Sequence, residues 1–213
     1  MNKKSTDLTA KLTMHRSPED EKKHAWLTML LDAFEVIDRG ISLTLQREKR
    51  KSGRKAACRE LCDGCCRSNT DIPVYPLEMA GIYWYITEKL DQTEQKGLTE
   101  PLIQHTPSSP CPFLIERRCK IYPVRPIACR QYIVFGRPCA ENEDPYRDRR
   151  EDLLLPVQEF TNQAFTIMLP FYGITGEAEK AAAIRNRIIH ARAQNLQSVD
   201  WKPLAERILT VSK

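Results

Sequence analysis

The chain carries half of its cysteines in one short stretch, Cys58-Arg59-Glu60-Leu61-Cys62-Asp63-Gly64-Cys65-Cys66. The other four lie further along, in a Pro- and Arg-rich segment, at Cys111, Cys119, Cys129 and Cys139. Short cysteine spacings allow one loop to place several sulfur atoms around a metal, and the C-x2-C spacing of Cys62 and Cys65 is found in many zinc and iron sites. The stretch therefore predicts a metal site built from thiolates, with irregular chain wrapped around it.

Cys65 and Cys66 are sequence neighbours, which limits how they can share a metal. In an extended chain their side chains point to opposite sides, so both reach one mononuclear ion only through a special turn, which Gly64 permits. The alternatives are two metals, or one multinuclear cluster and a second task for the other thiol. The spacing leaves open whether the two groups of four cysteines form one site or two.

The kind of metal is a separate question. All-sulfur coordination suits zinc and iron–sulfur clusters alike, but the chain lacks the two matched C-x2-C knuckles of a zinc ribbon. Positive side chains that would stabilise the negative charge of a [4Fe–4S] centre surround the cysteines; they are Arg59, Arg67, Arg117, Arg118, Lys120, Arg125, Arg130 and Arg137. We therefore expect an iron–sulfur cluster as the cofactor, with zinc as the alternative.

Composition and charge narrow the class of protein. With 41% hydrophobic and 29% charged residues, the 213-residue chain is expected to fold rather than to stay disordered. A net charge of +5 is too mild to indicate nucleic acid as a partner. No apolar run suits a signal peptide or a membrane span, so we expect a cytoplasmic protein. Cytoplasmic thiols stay reduced, which favours metal binding over the alternative of four disulfides.

Helical patterns lie on both sides of the cysteines. A start signal at Ser17-Pro18-Glu19-Asp20 precedes one apolar face at three- and four-residue spacing, formed by Leu27, Leu30, Phe34, Ile37 and Ile41. Further helices are expected at 76–90, 95–105, 153–169, 177–195 and from Ser198 or Asp200 to Val211. Residues 107–148 contain seven prolines and are expected to be irregular. The predicted fold class is mostly α, with helices flanking an irregular, cysteine-rich metal-binding centre.

This pattern divides the chain into four parts. Residues 1–16 are predicted to be a flexible tail, and residues 17–57 an N-terminal helix with a basic end. Residues 58–148 form the cysteine-cluster metal-binding module, and residues 149–213 form C-terminal helices that pack on the same domain.

The second cysteine segment has a distinctive order of motifs: Cys111-Pro112-Phe113-Leu114, Cys119-Lys120-Ile121-Tyr122, Arg125-Pro126 and Cys129-Arg130. Together with Cys58–Cys66, it resembles the YkgJ-type cysteine-cluster family, a zinc- or iron-chelating domain family, over roughly residues 58–139. The resemblance implies that seven cysteines are metal ligands and that Cys139 is the eighth; the seven are Cys58, Cys62, Cys65, Cys66, Cys111, Cys119 and Cys129. The chain departs from the family in its first gap, of three residues rather than two, and in having Arg117 or Arg118 where a glycine is usual.

Three further residues match polar positions of the family: Tyr122, Arg125 and Arg130. They are predicted to donate hydrogen bonds to thiolate or sulfide around the metal. The alternative is that the arginines form ordinary ion pairs with carboxylates and hold irregular backbone in place.

Three classes of function fit these features. The first is a metal-binding protein for electron transfer, sensing or metal handling. The second is a cluster-dependent protein-modifying enzyme, since a related domain occurs in flagellin lysine N-methylases, and the third is a structural zinc module that docks a protein partner. The C-x3-C-x2-C spacing also matches radical SAM enzymes, but the chain shows no strand–helix alternation. No glycine-rich nucleotide loop and no catalytic residue can be identified, so enzymatic activity stays open.

Overall fold

The structure of the protein is a computed structural model that describes residues 16–59 and 62–211. The predicted tail lies, except for Arg16, outside the described residues. Helices dominate what is described: α1 (Pro18–Lys23), α2 (Ala25–Ser52), α3 (Gly64–Ser68), α4 (Pro76–Glu88), α5 (Gln92–Gln104), α6 (Ile127–Gln131), α7 (Pro145–Asp148), α8 (Gln158–Met168), α9 (Glu177–Arg185) and α10 (Lys202–Val211). This confirms the prediction of a mostly α fold.

Two antiparallel strand pairs complete the fold of the described residues. Strand β1 (Pro73–Val74) pairs with β4 (Gln194–Asn195), and β2 (Leu114–Ile115) pairs with β3 (Arg118–Cys119). The first pair ties the chain after the first cysteine stretch to the C-terminal region, and the second forms a hairpin inside the second cysteine segment. That segment, predicted to be irregular, therefore contains a short hairpin and two short helices, α6 and α7.

The long helix α2 is the centre of the core. Its buried face includes all five residues that the sequence pattern singled out. Helix α8 packs along it, α4 and α6 also contact it, and α5 packs against α10. None of the helices in the described part of the chain combines the length and apolar character needed to cross a membrane.

Two glycines allow the helices of the core to approach closely. A Cβ atom added at Gly40 of α2 would lie 2.7 Å from Cγ of Phe160 on α8. A Cβ atom added at Gly81 of α4 would lie 2.3 Å from Cδ2 of Leu30 on α2. Both distances are shorter than van der Waals contact, so the missing side chains set how closely α8 and α4 lie against α2.

The N-terminal helix is not continuous, contrary to the sequence prediction. It is divided at His24, whose φ of −126° and ψ of 89° are not helical. The ring Nε2 of His24 lies 3.0 Å from Glu88 Oε1 on α4, so a tertiary contact holds the residue where the break occurs. The predicted start is confirmed, because Ser17 Oγ accepts a hydrogen bond from the Asp20 N–H.

The helices after the cysteine segment are shorter than predicted. Helix α8 begins at Gln158 rather than at Leu153, because Leu153 is used in an isolated β-bridge with Val134. The helix expected over 177–195 ends at Arg185. Arg187 then adopts a left-handed conformation with a φ of 54°, which stops a right-handed helix.

We predict opposite effects of alanine at two helix glycines. Gly40→Ala should lower the melting temperature, because the new methyl group overlaps Phe160 and overpacking costs about 1–3 kcal/mol. Gly97→Ala, on α5 with open space around it, should raise the melting temperature, because alanine favours a helix by about 0.5–1 kcal/mol. Thermal denaturation followed by circular dichroism measures both. A neutral or stabilising Gly40→Ala would contradict the close packing of α2 and α8.

Candidate metal centre

The two cysteine stretches meet in space. The Cys111 N–H donates a hydrogen bond to the Cys66 carbonyl, with an N···O distance of 2.8 Å. At the other end of the segment, a Cβ atom added at Gly64 would lie 3.5 Å from the Cys139 sulfur. All eight cysteines are free thiols in the structure. The chain therefore gathers sulfur atoms from both stretches without forming the alternative disulfides.

Helix α3 carries Cys65 and Cys66, so the extended geometry assumed from the sequence does not apply. On this helical turn the two thiols hydrogen-bond each other. The thiols of Cys58 and Cys62 form a second hydrogen-bonded pair. The Val134 N–H also donates to the Cys58 sulfur, at 3.4 Å. The first stretch thus presents its four thiols as two pairs.

The second segment positions its thiols through short elements. Cys119 lies on β3, opposite Leu114 on β2, and Cys129 lies on α6. Cys111 is buried in the hydrophobic core, and the Leu114 N–H donates to its carbonyl at 3.0 Å. Each thiol is therefore held by local backbone structure rather than by a long helix or a wide sheet.

Cys65 lies at the centre of the cysteines. Its thiol hydrogen-bonds Cys66 and interacts electrostatically with the other six, which are Cys58, Cys62, Cys111, Cys119, Cys129 and Cys139. The structure therefore brings every predicted ligand into one neighbourhood.

Most of these thiols are shifted toward the protonated form. Burial raises the pKa of Cys119 to about 11, and it also raises the pKa of Cys111 and Cys129. The hydrogen bond with Cys66, together with burial, raises the pKa of Cys65 well above its ordinary value. Since thiolate rather than thiol binds metal, a metal entering this site displaces buried protons.

Cys62 differs from these buried thiols. The hydrogen bond with Cys58 lowers the pKa of Cys62 to about 6, and the backbone N–H groups of Gly64 and Arg59 act in the same direction. The same hydrogen bond raises the pKa of Cys58, as expected when two neighbouring thiols titrate together. The first proton therefore leaves this pair more easily than it leaves the buried thiols.

The donor set fits a thiolate-bound metal in its chemistry. Arg125 Nε is buried without a hydrogen-bond partner, and the guanidinium interacts electrostatically with Cys65, Cys119 and Cys129. A thiolate or sulfide would supply the missing acceptor. Across residues 16–59 and 62–211, however, no group of three or more His, Cys, Asp or Glu side chains stands as a ready-made metal site. The thiols would have to turn toward a common point to bind.

Tyr122 and Arg125 are in direct contact. The Arg125 guanidinium stacks over the Tyr122 ring, with its central carbon 3.8 Å from the ring centroid. Stacking of this kind favours a cation and fixes the plane of the guanidinium. The ring thus supports the arginine that faces the thiols, while direct bonding of either residue to a metal-bound sulfur stays a prediction.

Arg130 makes its strongest contacts away from the thiols. Its guanidinium is 1% exposed and donates to Asp38 Oδ2 on α2 at 2.8 Å. It also donates to the backbone carbonyls of Arg125 and Pro123. These contacts match the alternative role that the sequence allowed for the arginines, in which an ion pair with a carboxylate holds irregular backbone. The carboxylate is that of Asp38. Arg130 also acts on Cys119 through its charge, so a role toward the metal stays a prediction.

Asp63 is a positioning residue that sequence reasoning missed. Its carboxylate is buried, accepts from Arg67 Nε at 2.8 Å, and lies 3.4 Å from Arg117 Nε on the turn of the hairpin. Burial acts to raise the pKa of Asp63, but Arg67 and Arg117 outweigh it and hold the pKa below its usual range. Asp63 therefore links the first cysteine stretch to the hairpin that bears Cys119. The i,i+4 spacing of Asp63 and Arg67 was the available signal.

Glu78 on α4 is the second missed residue. It is fully buried and accepts backbone hydrogen bonds from Ile127, at 2.7 Å, and from Tyr75, at 2.9 Å. Ile127 begins α6, so the carboxyl group anchors the helix that carries Cys129. Burial raises the pKa of Glu78 to about 7, and these hydrogen bonds only partly offset it. Glu78 is the third residue of α4, a position where a glutamate commonly accepts from the backbone N–H at the helix start, so nothing in the sequence indicated that it is buried.

The departure from the family's glycine has a structural explanation. Glu116 and Arg117, between β2 and β3, have φ values of 48° and 62°. This left-handed conformation is the one that glycine adopts without strain. The turn therefore keeps the backbone shape that a glycine would favour, although an arginine occupies it.

Comparison with known proteins identifies the domain. Residues 57–151 match the model of the CxxCxxCC family, whose description is "Putative zinc- or iron-chelating domain". That segment is less than half of the 213-residue chain, so the match shows a domain that is similar to this family. The match includes all eight cysteines and confirms the resemblance of the cysteine motifs. Comparison with curated proteins finds no match to the chain, and comparison with solved structures finds none either.

The buried carboxyl group predicts a pH-dependent stability. The pKa of Glu78 is 4.5 in an unfolded chain and about 7 in the folded one, so the folded state binds more protons between these values and loses stability as pH rises through them. Glu78→Gln does not titrate, and its amide can accept only one of the two backbone hydrogen bonds, so at pH 4.5 it should be less stable than the wild type. Between pH 4.5 and 7.5 the difference in free energy of unfolding should shift in favour of the variant by up to about 3 kcal/mol, because only the wild type loses stability over this range.

Urea denaturation of both proteins across this pH range measures the difference. Glu206→Gln, which removes an exposed carboxylate on α10, is the control. A constant difference between wild type and Glu78→Gln at all pH values would contradict the raised pKa.

The hairpin turn predicts a difference between two substitutions at one position. Arg117→Gly and Arg117→Ala both lose the ion pair with Asp63, but only glycine relieves the left-handed backbone. The glycine variant should therefore be more stable than the alanine variant by about 1 kcal/mol. Urea denaturation of the two variants tests this, and equal stabilities would show that the turn is not strained.

Proposed function

We propose that the protein holds an iron–sulfur cluster through its clustered cysteines and that it serves redox chemistry or metal handling. The cluster type that we favour is [4Fe–4S]. The family whose model matches residues 57–151 supports metal binding in general. The observation that carries the proposal for this chain is the position of Cys65, whose thiol interacts with the other seven. Thiolates are the ligands that both iron–sulfur clusters and zinc accept.

The surroundings of the thiols support iron–sulfur over zinc. A cluster bound by four thiolates has a net negative charge, and positive charge close to the sulfur atoms stabilises its reduced form. Arg125 supplies such a charge to Cys65, Cys119 and Cys129, with a buried N–H still able to donate. When bound, the cluster would supply one-electron redox chemistry. The chain's own part would be to ligate it, shield it from water and balance its charge.

The setting of the protein follows from the same chemistry. Eight free thiols in one neighbourhood require a compartment that keeps them reduced, so we propose a cytoplasmic location. The competing hypotheses are a protein-modifying enzyme built on the cluster and a structural zinc module that docks a protein partner.

Anaerobic purification of the full chain tests the proposal. The expected result is a brown protein that contains iron and acid-labile sulfide and absorbs near roughly 400 nm, where thiolate–iron charge transfer is seen. A colourless protein that retains zinc would favour the structural zinc module over the cluster. A chain with neither metal would overturn metal binding.

A single substitution tests the central role of Cys65. Cys65→Ser should lower the metal content and increase hydrogen exchange over residues 107–148, because metal bonds help to order that segment. Ser68→Ala, on the same short helix, is the matched control and should retain the metal. Full metal content in Cys65→Ser would contradict the proposed ligands.

A further inference from the structure

The eight thiols fall into two groups that meet at Cys65. The inner thiols are Cys66 and the three that interact with it electrostatically, Cys111, Cys119 and Cys129. The outer thiols are Cys58, Cys62 and Cys139. All four inner thiols lie in the hydrophobic core or pack against it, and of the outer three only Cys58 does so. The division does not follow the order of the chain, since each group takes cysteines from both stretches.

Backbone contacts hold the inner thiols together. The Cys111 N–H donates to the Cys66 carbonyl at 2.8 Å, which fixes the two cysteines side by side. Cys66 interacts electrostatically with the other three inner thiols, and Cys129 does so with Cys119. Two of the anchors described above, Glu78 to Ile127 and Arg130 to Asp38, hold the helix of Cys129 against this group.

A different set of contacts holds the outer thiols. The Ala57 N–H donates to the Val134 carbonyl at 2.7 Å, and the Val134 N–H donates to the Cys58 sulfur at 3.4 Å. Cys58 hydrogen-bonds Cys62, and Cys139 interacts electrostatically with Cys62. The Cys139 sulfur would lie 3.5 Å from a Cβ atom at Gly64, so the absence of a side chain there lets it approach.

Positive charge reaches both groups. Arg125 and Arg130 act on the inner thiol of Cys119, and Arg125 also acts on Cys65, whereas Arg149 acts on the outer thiol of Cys139. Arg149 is itself held by Glu143 and Asp152, at 2.9 and 3.0 Å. Each group therefore has positive charge to balance bound thiolates.

The extremes of exposure lie in different groups. Pro138 and Ala140, which flank Cys139, are exposed, whereas Cys111 is only 7% exposed, and the other thiols of both groups are partly buried. An outer centre would therefore have solvent close to Cys139, and an inner centre would be joined to the core by Cys111.

From this arrangement we propose that the chain binds two metal centres, each through four thiolates, a proposal that rests on the metal binding proposed above. The inner centre uses Cys66, Cys111, Cys119 and Cys129. The outer centre uses Cys58, Cys62, Cys65 and Cys139, in which Cys62 and Cys65 form the C-x2-C knuckle. Four sulfur donors complete a zinc site or a [4Fe–4S] cluster. The neighbours Cys65 and Cys66, whose side chains leave α3 in directions about 100° apart, would then bind different centres.

Metal analysis of two outer variants tests the division. In the full-length protein, Cys139→Ser and Cys58→Ser should each retain about half of the wild-type metal, because the inner centre survives. Anaerobic alkylation followed by peptide mass spectrometry should show the four inner thiols still protected and the remaining outer thiols modified. A chelator should likewise remove about half of the wild-type metal rapidly and the rest slowly.

The complementary variant is Cys119→Ser, which should lose the inner centre. Because an inner substitution can unfold the chain, the test of two centres depends on the variants Cys139→Ser and Cys58→Ser and on metal removal from the wild type by a chelator. Complete loss of metal in both outer variants, or no loss in either, would overturn the two-centre arrangement while leaving metal binding intact. A wild-type chain without metal would overturn the proposed function itself.

Discussion

The cysteine segment depends on one buried ion pair, between Arg130 on α6 and Asp38 on α2. Burial lowers the pKa of Arg130 and raises that of Asp38, so each charge persists because the other compensates it. Removing one member of such a pair typically costs about 3–5 kcal/mol, because the remaining charge is left buried alone. The same guanidinium binds the carbonyls of Arg125 and Pro123. A single side chain therefore fastens the proline-rich backbone to the central helix.

Two carboxylates extend this principle. Glu78 binds the first N–H of α6 from the opposite side, and Asp63 joins the first cysteine stretch to the hairpin turn at Arg117. A proline-rich segment cannot pair all its backbone N–H and C=O groups within β-sheets or long helices. Charged side chains from other parts of the chain therefore form some of these hydrogen bonds. The thiols converge because polar anchors hold their backbone, and metal bonds would add to an order that the polypeptide already has.

The sequence was informative where periodicity or local chemistry decides the structure. The buried face of α2 followed from residue spacing, and the Ser17 cap followed from the preference of hydroxyls for that position. Helix ends that depend on distant contacts did not follow. The break at His24 accompanies its contact with Glu88, and the late start of α8 reflects a bridge between Leu153 and Val134. No local pattern carries that information.

The candidate site shows the same contrast. Cysteine spacing pointed to all eight thiols and to their family, but not to how they pair, since Cys65 and Cys66 lie on a helix rather than on extended chain. Arg130 was singled out by its position in the motif, whereas its partner Asp38 lies 92 residues earlier, on a helix that reads only as core. Pairings across such distances are a property of the folded chain, and one sequence does not reveal them.

The hydrogen bond between Cys111 and Cys66 joins residues about 45 positions apart, and this separation has a consequence for biosynthesis. Ribosomes add about 5–20 residues each second, so the first four thiols emerge several seconds before the later ones are made. During that interval the nascent loop has only half of its sulfur donors and no covering segment. For a centre that draws on both stretches, loading has to wait until translation has passed Cys129 for the inner set and Cys139 for the outer set. Any donor of metal or cluster would thus act only after the second cysteine segment has been made.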